Sequence, residues 1–87
     1  METQAILEEM LELLSQNGVI IRTEAMGGSG GGLCKLKDKH IFYVDSDASA
    51  AQTAFLSAQA IGETVDIENL YLRPQVREFI ENSTSKL

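Results

Sequence analysis

The chain has 87 residues, of which 44% are hydrophobic and 23% charged, with a formal net charge of −6 and a single cysteine. That size sets one domain with a limited core, and the apolar content excludes a disordered chain. The acidity disfavours general binding to a phosphate backbone, and one cysteine excludes an intrachain disulfide.

The first predicted element is a helix over Thr3 to Asn17. Ile6, Leu7, Met10, Leu11, Leu13 and Leu14 recur at helical spacing, with Glu8, Glu9, Glu12 and Gln16 opposite. Asn17-Gly18 ends it. The N-terminus lacks the basic region of a signal peptide. The apolar runs fall far short of the roughly 20 residues that span a bilayer. The expected setting is therefore the cytoplasm, with no membrane contact.

Val19 to Glu24 is β-branched and reads as a strand. A glycine run follows, Met26-Gly27-Gly28-Ser29-Gly30-Gly31-Gly32-Leu33-Cys34. It has the glycine spacing of a P-loop, but Leu33-Cys34 stands where Lys and Ser or Thr belong. A dinucleotide fingerprint would need glycine at position 33. Both motifs hand a phosphate to a helix N-terminus, whereas this run enters a strand. It reads as a flexible connection between strands. Its backbone N–H groups could also form an anion nest, with Gly28, Ser29, Gly30, Gly31 and Gly32 as the cradle and Arg22 or Lys35 nearby.

Leu33 to Lys37 and His40 to Asp45 read as a hairpin around Asp38-Lys39. With Lys37 opposite His40, alternation puts Cys34, Leu36, Ile41 and Tyr43 on one face and Leu33, Lys35, Lys37, His40, Phe42 and Val44 on the other. The first set reads as the core face, with Cys34 a small buried residue. Cys34 and His40, the lone thiol and imidazole, then point apart. A thiolate–imidazole pair needs them within hydrogen-bond reach, so no catalytic residue is assigned. One cysteine and one histidine are also too few for a zinc site without carboxylates, and no metal or cofactor is expected.

Asp45-Ser46-Asp47-Ala48-Ser49 reads as a helix start. Ser46, Asp47 and Ser49 are competent caps, and Ser49 with Gln52 matches a capping box. Asp45 and Asp47 could alternatively hold a hard cation. The helix runs to Ile61 and stops at Gly62. Its alanines permit close packing on a sheet, on another helix or in a dimer. Residues 63–72 read as irregular, and Pro74 opens a last helix that reaches Asn82. The domain is thus 1–82, with a frayed tail over 83–87. The fold class is α+β: a two-layer sandwich of a three-stranded antiparallel meander, an N-terminal helix and two C-terminal helices.

Lys35, Lys37 and His40 share a hairpin face with Phe42, and Lys39 lies at the turn. Basic groups around an aromatic suit single-stranded nucleic acid, but three lysines in an acidic chain make that partner a poor fit. They equally suit the acidic Glu8, Glu9 and Glu12 of another subunit, or plain solvation at a guarded edge.

Gly28 to Lys37, continuing through Tyr43-Val44-Asp45, resembles a group of small bacterial proteins in which a glycine-rich segment leads into Leu-Cys and a basic hairpin. Asn69 to Pro74 with Val76-Arg77-Glu78 is similar to the tail of that group, and the resemblance implies no particular activity. The hairpin and following helix also bear a fainter similarity to zinc peptidases of the ImmA/IrrE group. The helix here reads Phe55-Leu56-Ser57-Ala58-Gln59-Ala60-Ile61, without His-Glu-x-x-His, so that resemblance implies a scaffold alone. The expected function is a non-catalytic protein-interaction module that forms a homodimer. The alternative is a small-ligand or anion binder built on Gly28–Gly32.

Overall fold

The computed structural model describes residues 2–84. Its order is α1 (Thr3–Gln16), β1 (Ile20–Glu24), β2 (Gly31–Leu36), β3 (Lys39–Asp45), α2 (Ala50–Thr64), a short 3-10 turn (Ile67–Asn69) and α3 (Pro74–Thr84). The class is α+β, with helices and sheet in the expected places. The sheet differs from the expected meander. Its order is β1-β3-β2, with β1 parallel to β3 and β2 antiparallel to β3. The cause lies in the 25–30 connection. A tight turn would pair β1 with β2, but this one is long enough to round the end of β3 and deliver β2 to its far side.

The hairpin register also differs. Leu36 faces Lys39, Lys35 faces His40, Cys34 faces Ile41 and Leu33 faces Phe42. The two-residue turn is therefore Lys37-Asp38, with Lys37 in the left-handed region at φ 57°. The slip is two residues along one strand, so each face keeps its members. Which face is buried is reversed. Phe42 is fully buried, and Ile21, Leu33 and Val44 pack against the core with it. Cys34 is exposed, not buried. Lys35 and His40 share the buried face despite their polarity. They sit near the hairpin tip, where a long side chain reaches water past the apolar residues deeper in the sheet.

All three helices contact one another and lie on the Phe42 side. α1 contributes Ile6, Leu7, Met10 and Leu14 to the core, the stripe its periodicity predicts. α2 is the central helix, touching α1, α3, β2 and β3. Its buried face is Thr53, Ala54, Ser57, Ala58, Ala60 and Ile61, small enough to let neighbours approach. Ser57 Oγ donates to Thr53 O at 2.8 Å, so the buried hydroxyl is satisfied within the helix. At its start Ser49 Oγ accepts from the Gln52 N–H at 3.1 Å.

α2 does not stop at Gly62. It continues to Thr64, and a Cβ at Gly62 would press on Thr84 of α3. That glycine serves a close approach between helices rather than a stop. α3 likewise continues past Asn82. Ser83 is buried, and its carbonyl accepts from Gln59 Nε2 at 2.6 Å. The rest of the expected frayed tail, 85–87, lies outside the described residues. Among the described residues no helix is long and apolar enough to cross a membrane.

Candidate functional site

Two features stand out, the glycine connection and the helix-free side of the sheet. The connection follows from the strand order. β1 ends at Glu24, which sits beside Asp45 at the end of β3. The chain then passes over that end and enters β2 with Gly31 opposite Val44. Crossing a strand end leaves several backbone N–H groups without ladder partners, and a buried N–H needs one.

Asp45 supplies them. Asp45 is only 1% exposed. Oδ2 accepts from Gly30 N–H at 2.9 Å, and Oδ1 accepts from Met26 N–H at 2.9 Å and Asp47 N–H at 2.8 Å. Asp47 Oδ2 accepts from Gly27 N–H at 2.9 Å. Ser29 N–H donates to Met26 O at 3.3 Å. The Gly30 N–H is the main influence that holds Asp45 below its ordinary pKa of 3.8; the N–H groups of Asp47, Met26 and Gly28 add to it, and burial opposes them.

The loop is therefore an anion nest whose anion is the chain's own carboxylate. Gly30 is favoured by angle, and Gly31 is needed by contact as well. At Gly30 (φ 107°) a Cβ would meet Gln52 of α2, and at Gly31 (φ 72°) it would run into the Tyr43 carbonyl. The strand must come this close to β3 for the loop to close over Asp45.

Gly28, Ser29, Gly30, Gly31 and Gly32 are thus contiguous, as the sequence requires, but Arg22 and Lys35 do not converge on them. Lys35 lies four residues along β2 from Gly31, about 13 Å down the strand, opposite His40. Arg22 is opposite Tyr43 on the other face and pairs with Glu24, Nε to Oε2 at 3.7 Å. Cys34 is opposite Ile41 and His40 opposite Lys35, so thiol and imidazole lie on opposite faces. Asp45 and Asp47 do not cap α2, whose cap is Ser49. Their carboxylates are engaged by amides, and no group of three or more His, Cys, Asp or Glu suited to a metal occurs among the described residues.

Asp45 and Asp47 stand out in the sequence as candidate helix caps or cation ligands; their role as loop anchors does not. The available signal was an acidic pair at a strand end in a chain with a run of amide-rich glycines. Its meaning depended on β1 and β3 ending side by side.

The second feature is the sheet face away from the helices. β1 contributes Ile20, Arg22 and Glu24, β3 contributes Lys39, Ile41 and Tyr43, and β2 contributes Gly32, Cys34 and Leu36. No described element covers it. Ile20 is 42% and Leu36 60% exposed. β1 and β2 are the two edges, each with a single neighbour.

No protein-family model, curated protein or solved structure matches the chain.

Proposed function

We propose that the chain is a non-catalytic cytoplasmic interaction module that works as a homodimer, with the helix-free side of its sheet as the working surface. The supporting observation is that bare face. A sheet with helices on one side usually presents polar residues on the other. Here Ile20, Cys34 and Leu36 are exposed on it and Ile41 and Tyr43 half-buried, alongside the charged Arg22, Glu24 and Lys39. Grouped apolar residues on the surface of a small domain mark a place where another surface docks. A short chain also gains from burial between copies, since its own core is limited.

Light scattering across micromolar concentrations tests this reading. The expected result is a mass that rises from monomer to dimer with concentration. A monomer at every concentration overturns it.

The anion-binding alternative draws less support, because the Met26, Gly27 and Gly30 amides already donate to Asp45 and Asp47. An added phosphate would have to displace a carboxylate and then sit beside it. Inorganic phosphate and nucleotides at millimolar concentration are expected to leave the melting temperature unchanged, since only a ligand of the folded state raises it. A clear upward shift would return the loop to the centre of the function.

A further inference from the structure

The homodimer reading leaves open which part of the sheet side joins the copies, and the geometry points to the β1 edge. We propose that two copies pair β1 with β1 antiparallel about a two-fold axis at Thr23, doubling the three-stranded sheet. The inference rests on the homodimer reading and adds the partner surface and its register.

Three observations select this arrangement. First, an edge strand offers unpaired backbone N–H and C=O groups to another strand. Of the two edges, β1 is the regular one. β2 opens with Gly31 and Gly32 at φ 72° and 138°, outside the extended conformation that a new ladder needs. Second, charge separates the edges. β2 carries Lys35 and runs into Lys37, with Lys39 beside its end. A second copy on that edge brings lysines toward lysines, and like charges in opposed strands are destabilising. β1 carries one charge of each sign, Arg22 and Glu24.

Third, β1 is complementary to itself in one register. With Thr23 opposite Thr23, the two-fold axis puts Arg22 opposite Glu24 of the second copy and Glu24 opposite its Arg22. An isologous contact repeats every pair twice. Moving the axis to Arg22 sets arginine against arginine. Moving it to Glu24 sets two carboxylates together. The Arg22–Glu24 pair within one copy is long, at 3.7 Å, and more than half of the Arg22 side chain is exposed. Exchange for an intermolecular pair therefore gives up little.

The joined sheet sets the two helix-free faces side by side. They form one mixed surface twice as wide, with Ile20, Arg22 and Glu24 near the seam and Leu36 at each far end.

The test combines a cross-link with a charge swap, both in a Cys34→Ser background that removes the exposed native thiol. Residues opposite each other in antiparallel strands have Cα atoms about 4.5–5.5 Å apart, within disulfide reach. Thr23→Cys is expected to form a disulfide dimer under mild oxidation, whereas Lys37→Cys at the hairpin tip is not. Arg22→Glu is expected to weaken dimerisation by roughly tenfold, through two repulsive pairs in place of two attractive ones. Adding Glu24→Arg to it should restore most of the affinity. Both sites are exposed, and melting temperatures unchanged at concentrations where the chains are monomeric would show that the monomer is intact.

A wild-type chain that stays monomeric overturns the homodimer reading and this inference together. A wild-type dimer that resists the Thr23→Cys cross-link and ignores the charge swap, but falls apart with Leu36→Asp, overturns the β1 pairing alone. The copies would then stack face to face.

Discussion

At the scale of single residues, Asp45 is the pivot of the molecule. Its carboxylate receives N–H groups from both ends of the glycine connection and from Asp47. Asparagine in its place offers one acceptor and turns an NH2 toward backbone donors, so Asp45→Asn is expected to lower the melting temperature at pH 7, and by more than Asp47→Asn. The pH dependence has a definite sign. The folded pKa lies below the ordinary 3.8, so the unfolded chain binds the proton first as pH falls. The stabilisation is complete above the unfolded value and is lost as pH drops through the folded one. Thermal melts of the two proteins should therefore draw together in the acid range below 3.8. A constant gap down to the lowest pH would disprove the role given to the charge. At Gly31 the contact is steric. Gly31→Ala sets a methyl against the Tyr43 carbonyl at φ 72°, and urea melts should show a loss of about 2–3 kcal/mol. The glycine run itself was legible in the sequence. That its amides close on a carboxylate from the same chain was not, because the partner arrives through a strand pairing that no local pattern encodes.

Among the elements, the helices were the most legible. Ile6, Leu7, Met10 and Leu14 state the buried stripe of α1 directly, and Ser49 states the start of α2. Ser49→Ala should cost about 1 kcal/mol by denaturant titration, as loss of a helix cap does. Ala58 is fully buried where α2 meets its neighbours, and Ala58→Leu should cost about 1–3 kcal/mol from overpacking. The segment before α3 looked irregular, yet one arginine organises it. Arg77 Nη2 donates to Ile67 O and Leu70 O, each at 2.8 Å. Arg77→Ala should release this segment at a cost of about 1–3 kcal/mol, with faster amide exchange across 67–70. The strands were harder to read. Their faces followed from alternation, but burial did not, since Leu36 and Cys34 look like core and Lys35 and His40 do not. Their order was harder still. Three strands in succession suggest a meander, and only the length of the 25–30 connection hints that β2 has passed to the far side of β3.

For the molecule as a whole, charge is divided between layers. Arg22, Lys35, Lys37 and Lys39 make four of its seven basic residues and lie on the sheet or its turn, while Glu8, Glu9 and Glu12 belong to α1. Composition reports only the net acidity, so this division emerged from the fold. Glu24, Asp38 and Asp45 also lie on the strands or the turn, so the sheet side is nearly neutral and repels another copy less than the acidic α1 does, in keeping with the proposed pairing through β1. The strand order also bears on how the chain acquires its shape. β1 is made before β2, yet its neighbour is β3, so it must wait through the synthesis of an entire hairpin. Meanwhile α1 lacks α2, its main helical partner. The β2–β3 ribbon with α2 is local in sequence and has little loop entropy to overcome. We expect it to form first during refolding, with α1 and β1 docking onto it as a late unit. Pulsed hydrogen exchange would reveal protection in β3 before β1, and the reverse order would refute this sequence of events. Until that docking occurs, both sides of β1 are open, and a neighbouring chain can reach the strand before its own β3 does.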